Sequence, residues 1–330
     1  MRIHIRQLAT MLAALGLAAG AHLSARAFST EGSFDRSLKV TGAVEMEVTT
    51  GSGNIDVRSG NSSTVHVHGT IRASDSWRDS SGDAERKVRF LESNPPIEQS
   101  GNVIRIGHID DPELRRNISI SYELEVPAET RLTSSTGSGH LNISGISGPL
   151  KANSGSGSLK ISGIGGEAEL ETGSGDVEAD SIKGRVRIRT GSGWIRGSGI
   201  AGAITAVTGS GDIRLEQTAP GDVRVETGSG GAEVSGVRGG LDARAGSGSI
   251  TVSGEPTSEW RLHSGSGTLT VRLTSQVGFD LDAHTSSGHI DTVPPITVQG
   301  SFGRGHIQGK ARGGGVRLEL ETGSGNIRIE

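Results

Sequence analysis

Two aspartates raise the first question of chemistry. Asp176 and Asp212 each directly follow a Gly-Ser-Gly triplet. Asp at a fixed place in a repeating glycine-rich turn is how β-rolls hold Ca²⁺. The same place elsewhere is taken by Asn54, His140, Ser158, Trp194, Gly231, Ser249, Thr268 and Asn326. The carboxylates therefore miss adjacent copies, and no calcium site is expected. Imidazole pairs come next, since two of them can hold Zn²⁺ or Cu²⁺. His66 and His68 share a strand face. His289 and His306 take the place after the turn in consecutive copies, so they could stack. His263 and His284 share the place two residues before it. No third ligand stands at a fixed spacing, and exposed polar positions account for all six. Glu169 and Glu171 would suit a glycosidase-type carboxylate pair, but the short turns around them leave little chain to wall a cleft. What remains is cationic. Arg187, Arg189, Arg196, Arg214 and Arg224 alternate with apolar residues, and such a ladder suits an anionic polymer. These five arginines are assigned as the ligand-facing surface, with no catalytic, cofactor-binding or metal residue.

The triplet that organises these residues begins at Gly51, then at Gly137, Gly155, Gly173, Gly191, Gly209, Gly228, Gly246, Gly265 and Gly323, with degenerate copies at Ser286 and Gly303. Before it, inward and outward types alternate, as in Val186, Ile188 and Thr190 against Arg187 and Arg189. Alternation resumes after it, as in Leu159 and Ile161 or Ile213 and Leu215. A period of two marks strands with one buried face. A second glycine turn follows, with an apolar corner residue: Ile146, Ile164, Ile182, Ile200 or Val237. The fold expected is all-β, a parallel β-solenoid of about 18 residues and two strands per coil. About eleven coils would stack at roughly 4.8 Å each into a rod of about 50 Å. Glycine would supply the positive φ of both turns. A thin core between two sheets also explains a chain with 53 Gly, 3% aromatic residues and a 32% hydrophobic set. Thr136, Thr172, Thr190, Thr208 and Thr227 have inward parity, which argues against ice binding.

Residues 1–27 read as a signal peptide: Arg2 and Arg6, an apolar run over 8–21, and Ala25-Arg26-Ala27 before a cleavage at Phe28. No later run is long enough to span a membrane. The absence of Cys excludes disulfides. The formal net charge is −4, and removing Arg2, Arg6 and Arg26 makes the remainder more acidic, which argues against nucleic acid as a partner. Residues 28–130 are expected to form a small α+β cap with one outlying coil around Gly51 and a short helix over 83–92. Residues 131–330 carry the repeats. The C-terminus has no evident cap, so its last strand, with Arg328 and Glu330, is expected to be an open edge available for end-to-end self-association.

The repeats Thr172 to Val177, Thr208 to Leu215 and Thr322 to Ile329, with the segments Pro95 to Ile106 and Asn117 to Pro127, resemble domain-of-unknown-function family 4097. That is a bacterial β-strand-repeat family labelled "putative adhesin". The resemblance covers nearly the whole chain after the leader. It implies an exported or envelope-attached β-solenoid and brings no catalytic residues. The expected function is therefore a non-catalytic interaction or structural module in the periplasm or at the cell surface, its partner an envelope protein or a polysaccharide. The competing expectation is a polysaccharide lyase or hydrolase on the same scaffold.

Overall fold

The computed structural model describes residues 29–74, 81–274, 276–298, 303 and 305–330. The expected signal peptide lies outside them. Each repeat is one winding of a parallel β-solenoid. Strand Val186–Thr190 runs to the triplet, the chain turns, and strand Ile195–Ile200 runs back. The strands before the triplets form a leading sheet, and those after them a trailing sheet. Within each sheet a strand pairs with its equivalents one winding away. Val186 lies level with Ala168 and Ile204, and Ile195 with Val177 and Ile213. Like thus stacks on like. Val186, Ile188 and Ile195 point inward and are fully buried, as are the corner residues Ile146, Ile164, Ile182, Ile200 and Val237. Each winding needs only a few aliphatic side chains, because its neighbours complete the core.

The glycines of the two turns serve different ends. Gly145, Gly163, Gly199 and Gly236 in the second turn have positive φ, as expected, and Ser181 takes the same place at φ 55°. The triplet glycines do not. They are glycine because successive turns lie in direct backbone contact. A Cβ on Gly193 would fall 1.9 Å from the Gly175 carbonyl oxygen, and one on Gly191 would fall 2.3 Å from that of Gly173. The expectation of positive φ there is corrected: close approach, not backbone handedness, selects the residue.

The inward hydroxyl before each triplet fastens this contact. Thr208 Oγ1 donates to the Gly193 carbonyl at 2.9 Å and accepts from Gly211 N–H at 3.1 Å. Thr172, Thr190, Thr227 and Thr322 donate to the previous winding in the same way, and so does Ser264. Ala245 occupies this place in the 241–254 winding and has no hydroxyl to offer. Thr208→Val leaves two buried backbone groups unpaired and is expected to destabilise by about 1–3 kcal/mol. Ala245→Ser is expected to stabilise by about 0.5–1.5 kcal/mol. Urea midpoints of the two variants check both signs.

The two ends of the stack depart from sequence order. The strands Val44–Thr50 and Ile55–Ser59 form a winding inserted between the 103–126 segment and the 130–144 winding. Beyond it the trailing sheet continues antiparallel through Thr64–Ser74 to Ser29–Lys39, over which helix Ser81–Ser93 packs. At the other end, strand Val316–Thr322 lies between Trp260–Ser264 and Phe279–Thr285, and Ile327–Ile329 between Leu269–Leu273 and Ile290–Thr292. The last strand is therefore interior, and the expected open edge is not there. The trailing sheet ends instead on the three residues Ile290–Thr292. The leading sheet is closed by antiparallel strands His306–Ala311 and Ile296–Val298. The degenerate copy at Gly303 is thus part of this antiparallel closure rather than a solenoid turn.

Candidate functional site on the outward sheet faces

Outward side chains line up in rows because the windings are in register. One row of the leading sheet reads Lys151, Glu169, Arg187, Thr205, Arg224, Asp242. One row of the trailing sheet reads Lys160, Glu178, Arg196, Arg214, Glu233. The five arginines singled out by sequence are all exposed, but they are divided. Arg187, Arg189 and Arg224 stand on the leading face, and Arg196 and Arg214 on the trailing face. Their surroundings differ as well. Arg214 pairs with Glu233 at 3.4 Å, and Arg224 with Glu226 at 3.6 Å and Asp242 at 3.8 Å. Lys151 engages Glu169 at 3.5 Å. Arg187 and Arg189 are without an ion-pair partner among the described residues. Exposed pairs of this kind add little stability, so the rows are better understood as a surface than as a brace.

Three further cations share the leading face with these arginines. A shallow concavity of about 390 Å³ on the leading face gathers Arg131, Lys151, Arg185 and Arg187 around Glu167 and Glu169. Arg131 and Arg185 lie at the start of their strands, beside the second turn. The signal that could have found them is their recurrence beside that turn in the copies beginning at 130 and 186.

The metal and acid–base candidates fall elsewhere. Asp176 Oδ1 accepts from Trp194 N–H at 3.0 Å and Asp212 Oδ1 from Gly231 N–H at 2.9 Å. The residue after the triplet thus caps an amide of the next winding. His306 does not lie against His289; it meets the His284 ring edge to face, centroids 5.9 Å apart and planes at 75°, because its strand is antiparallel. Glu321 of the inserted winding stands between His263 and His284. His66 Nδ1 lies 3.0 Å from Ser37 Oγ and His68 Nδ1 2.8 Å from Asp35, both in an open groove of about 560 Å³. Among the described residues no group of three His, Asp or Glu is arranged to hold a metal. Glu169 and Glu171 share the leading face, facing Arg187 and Arg189 across one strand spacing. Among the described residues two groups have displaced acidity, and neither is on these faces. A hydrogen bond from Lys87 is the main cause that holds the Asp83 carboxyl below its usual range, and burial pushes the Tyr122 phenol up.

The windings, their in-register rows and their antiparallel closures define a β-solenoid with two solvent-facing charged sheets. The Toastrack DUF4097 family model matches this chain over residues 99–217 and 188–330, and the chain belongs to that family. Two crystal structures align along most of its length. A "putative cell adhesion protein" from Clostridium sporogenes ATCC 15579 is 13% identical, with 91% of this chain and 99% of that chain covered and a TM-score of 0.21. A "putative adhesin" from Bacteroides fragilis NCTC 9343 is 12% identical, with 91% and 97% covered and a TM-score of 0.31. Neither likeness bears on what this chain binds. Comparison with curated proteins finds no match. No helix among the described residues is long and apolar enough to cross a membrane.

Proposed function

We propose that this protein is a non-catalytic interaction module, exported to the cell envelope, that binds an anionic polymer such as an acidic polysaccharide along its arginine-bearing faces. The observation that carries the proposal is the leading face around Arg187 and Arg189. These two guanidinium groups lack ion-pair partners among the described residues, and Arg131, Lys151 and Arg185 share a shallow concavity with Arg187. Arginine forks match carboxylates bidentately. A stack of windings repeats such contacts along a line, so a polymer gains by multivalency without a deep pocket. Export rests on the leader over residues 1–27.

Polygalacturonate binding, followed by calorimetry at two salt concentrations, tests this. The double variant Arg187→Glu/Arg189→Glu is expected to bind roughly tenfold more weakly or worse, a change of about 1.4 kcal/mol or more. Its far-UV circular dichroism should be unchanged, and wild-type binding should weaken with salt. Undiminished binding by the double variant would overturn the proposal. Turnover of the polymer that disappears in Glu169→Gln/Glu171→Gln would replace it with the enzyme.

A further inference from the structure

We infer that Trp194, Arg196 and Arg214 form a subsite for one uronate ring of an acidic polysaccharide; this rests on the polymer-binding function proposed above. Trp194 holds a position with a structural use in neighbouring windings. It stands in the column of residues that follow the triplets, where a polar side chain caps the next winding. Asn54 Oδ1 accepts from His140 N–H at 3.0 Å, His140 Nδ1 from Ser158 N–H at 3.1 Å, and Asp176 Oδ1 from Trp194 N–H at 3.0 Å. Farther along, Ser249 caps Thr268 and Asn326 caps His289. An indole has a donor and no acceptor, so Trp194 cannot cap Asp212. Gly231 and Thr268 also fail to cap, but neither places a large apolar surface outside.

Trp194 is 39% exposed in a chain whose aromatic content is 3%. The other described Trp, Trp260, is fully buried, and its Nε1 donates to the Gly239 carbonyl at 2.9 Å. The core therefore does not need the ring of Trp194, and the column is weakened by it. Its neighbours supply the complementary chemistry. The Arg196 guanidinium lies 5.1 Å from the indole centroid, with no carboxylate partner among the described residues. Arg214 is level with Arg196 on the next strand, about 4.8 Å away. The acids around them are already engaged: Glu178, level with Arg196, pairs with Lys160 at 3.9 Å, Glu233 pairs with Arg214 at 3.4 Å along one edge of the subsite, Asp176 accepts from Trp194 N–H and Asp212 from Gly231 N–H. An indole beside two guanidinium groups offers an apolar plane for the C–H face of a sugar and forked donors for its carboxylate. A single aromatic also differs from the successive stacking platforms that hold single-stranded nucleic acid.

The probe is trigalacturonate, followed by Trp fluorescence and calorimetry on the full chain. Trp194→Asn is expected to bind roughly tenfold more weakly or worse and to lose the ligand-induced fluorescence change. Its melting temperature should hold or rise, because Asn caps the next winding as Asn54 and Asn326 do. That combination separates a ligand contact from a structural role. Trp194→Ser, on the precedent of Ser158, provides a second variant. Arg196→Gln should weaken binding, and the methyl ester of the trimer should bind wild type roughly tenfold more weakly. If Trp194→Asn and Trp194→Ser bind like wild type while Arg187→Glu/Arg189→Glu loses the polymer, the subsite is wrong and the broader function stands. If the methyl ester or a single-stranded oligonucleotide binds as well as the acid, uronate recognition is overturned. If no acidic saccharide binds at all, both proposals fall.

Discussion

Gly193→Ala is expected to destabilise the protein by about 3 kcal/mol or more, and to leave much of it unfolded at modest urea concentrations. The new Cβ would meet the Gly175 carbonyl oxygen at 1.9 Å, its carbon at 2.5 Å and Asp176 N at 2.9 Å. All three are backbone atoms, held in register by the ladders on both sides, and none can swing aside as a side-chain terminus would. The windings must part locally, which also stretches the hydroxyl bonds of Thr190 and Thr208 across this same layer. Ser192→Ala, an exposed change one residue away, should stay within about 0.5 kcal/mol. Gly199→Ser supplies the sharper contrast. Gly199 has φ 64°, Ser181 already occupies the equivalent place at φ 55°, and the nearest atom to an added Cβ is 3.4 Å away. Its cost should be about 1–2 kcal/mol, the cost of backbone strain alone. Equal effects at Gly193 and Gly199 in parallel urea titrations would mean that the triplet is a conformational turn after all.

That contrast also shows how much of the molecule was legible in its sequence. The period, the two strands per winding, the inward Thr column and the corner Ile residues follow from alternation, which a strand enforces directly. The reason for the triplet does not. Gly145 and Gly193 look alike in a sequence, and only the neighbouring winding distinguishes a φ requirement from an absence of room. The ligand-facing arginines were chosen by outward parity, which is the same on both sheets. Their position relative to the triplet sorts Arg187 and Arg189 from Arg196 and Arg214, and was the signal left unused. The capping role of Asp176 was hidden for a related reason. An Asp that binds an amide and an Asp that binds a cation obey the same repeat. The order of the windings at the two ends was out of reach altogether, because the contacts are interchangeable. Thr322 donates to Gly267, 55 residues away, in the same way that Thr208 donates to Gly193, 15 residues away. Nothing local specifies which winding lies next to which.

This interchangeability makes the C-terminal winding the place where spatial and sequence order are easiest to tell apart. Truncation after residue 312 removes the two strands over 316–330. Stacked in sequence order, they would be a terminal layer, and their loss would cost little beyond one exposed edge. In the structure they are an interior layer, so their removal opens the ladders of Trp260–Ser264 and Leu269–Leu273 on one side and of Phe279–Thr285 and Ile290–Thr292 on the other. It also deletes Leu318, Leu320, Ile327 and Ile329, all essentially inaccessible to solvent. Each contributes about 1.5–3 kcal/mol of burial, and the residues that faced them lose their cover as well. The truncated chain is expected to lose amide-exchange protection throughout 260–292, to bind a hydrophobic dye, and to keep protection in the 150–240 windings, because neighbouring windings fold as local units. Leu320→Ala, in the intact chain, should cost about 2–5 kcal/mol and loosen the same region without removing the layer. Retained protection at Trp260 and Phe279 after truncation would show that the 260–273 and 279–292 windings can close directly on each other. The inserted layer would then be dispensable rather than the piece that joins the end of the solenoid to its body.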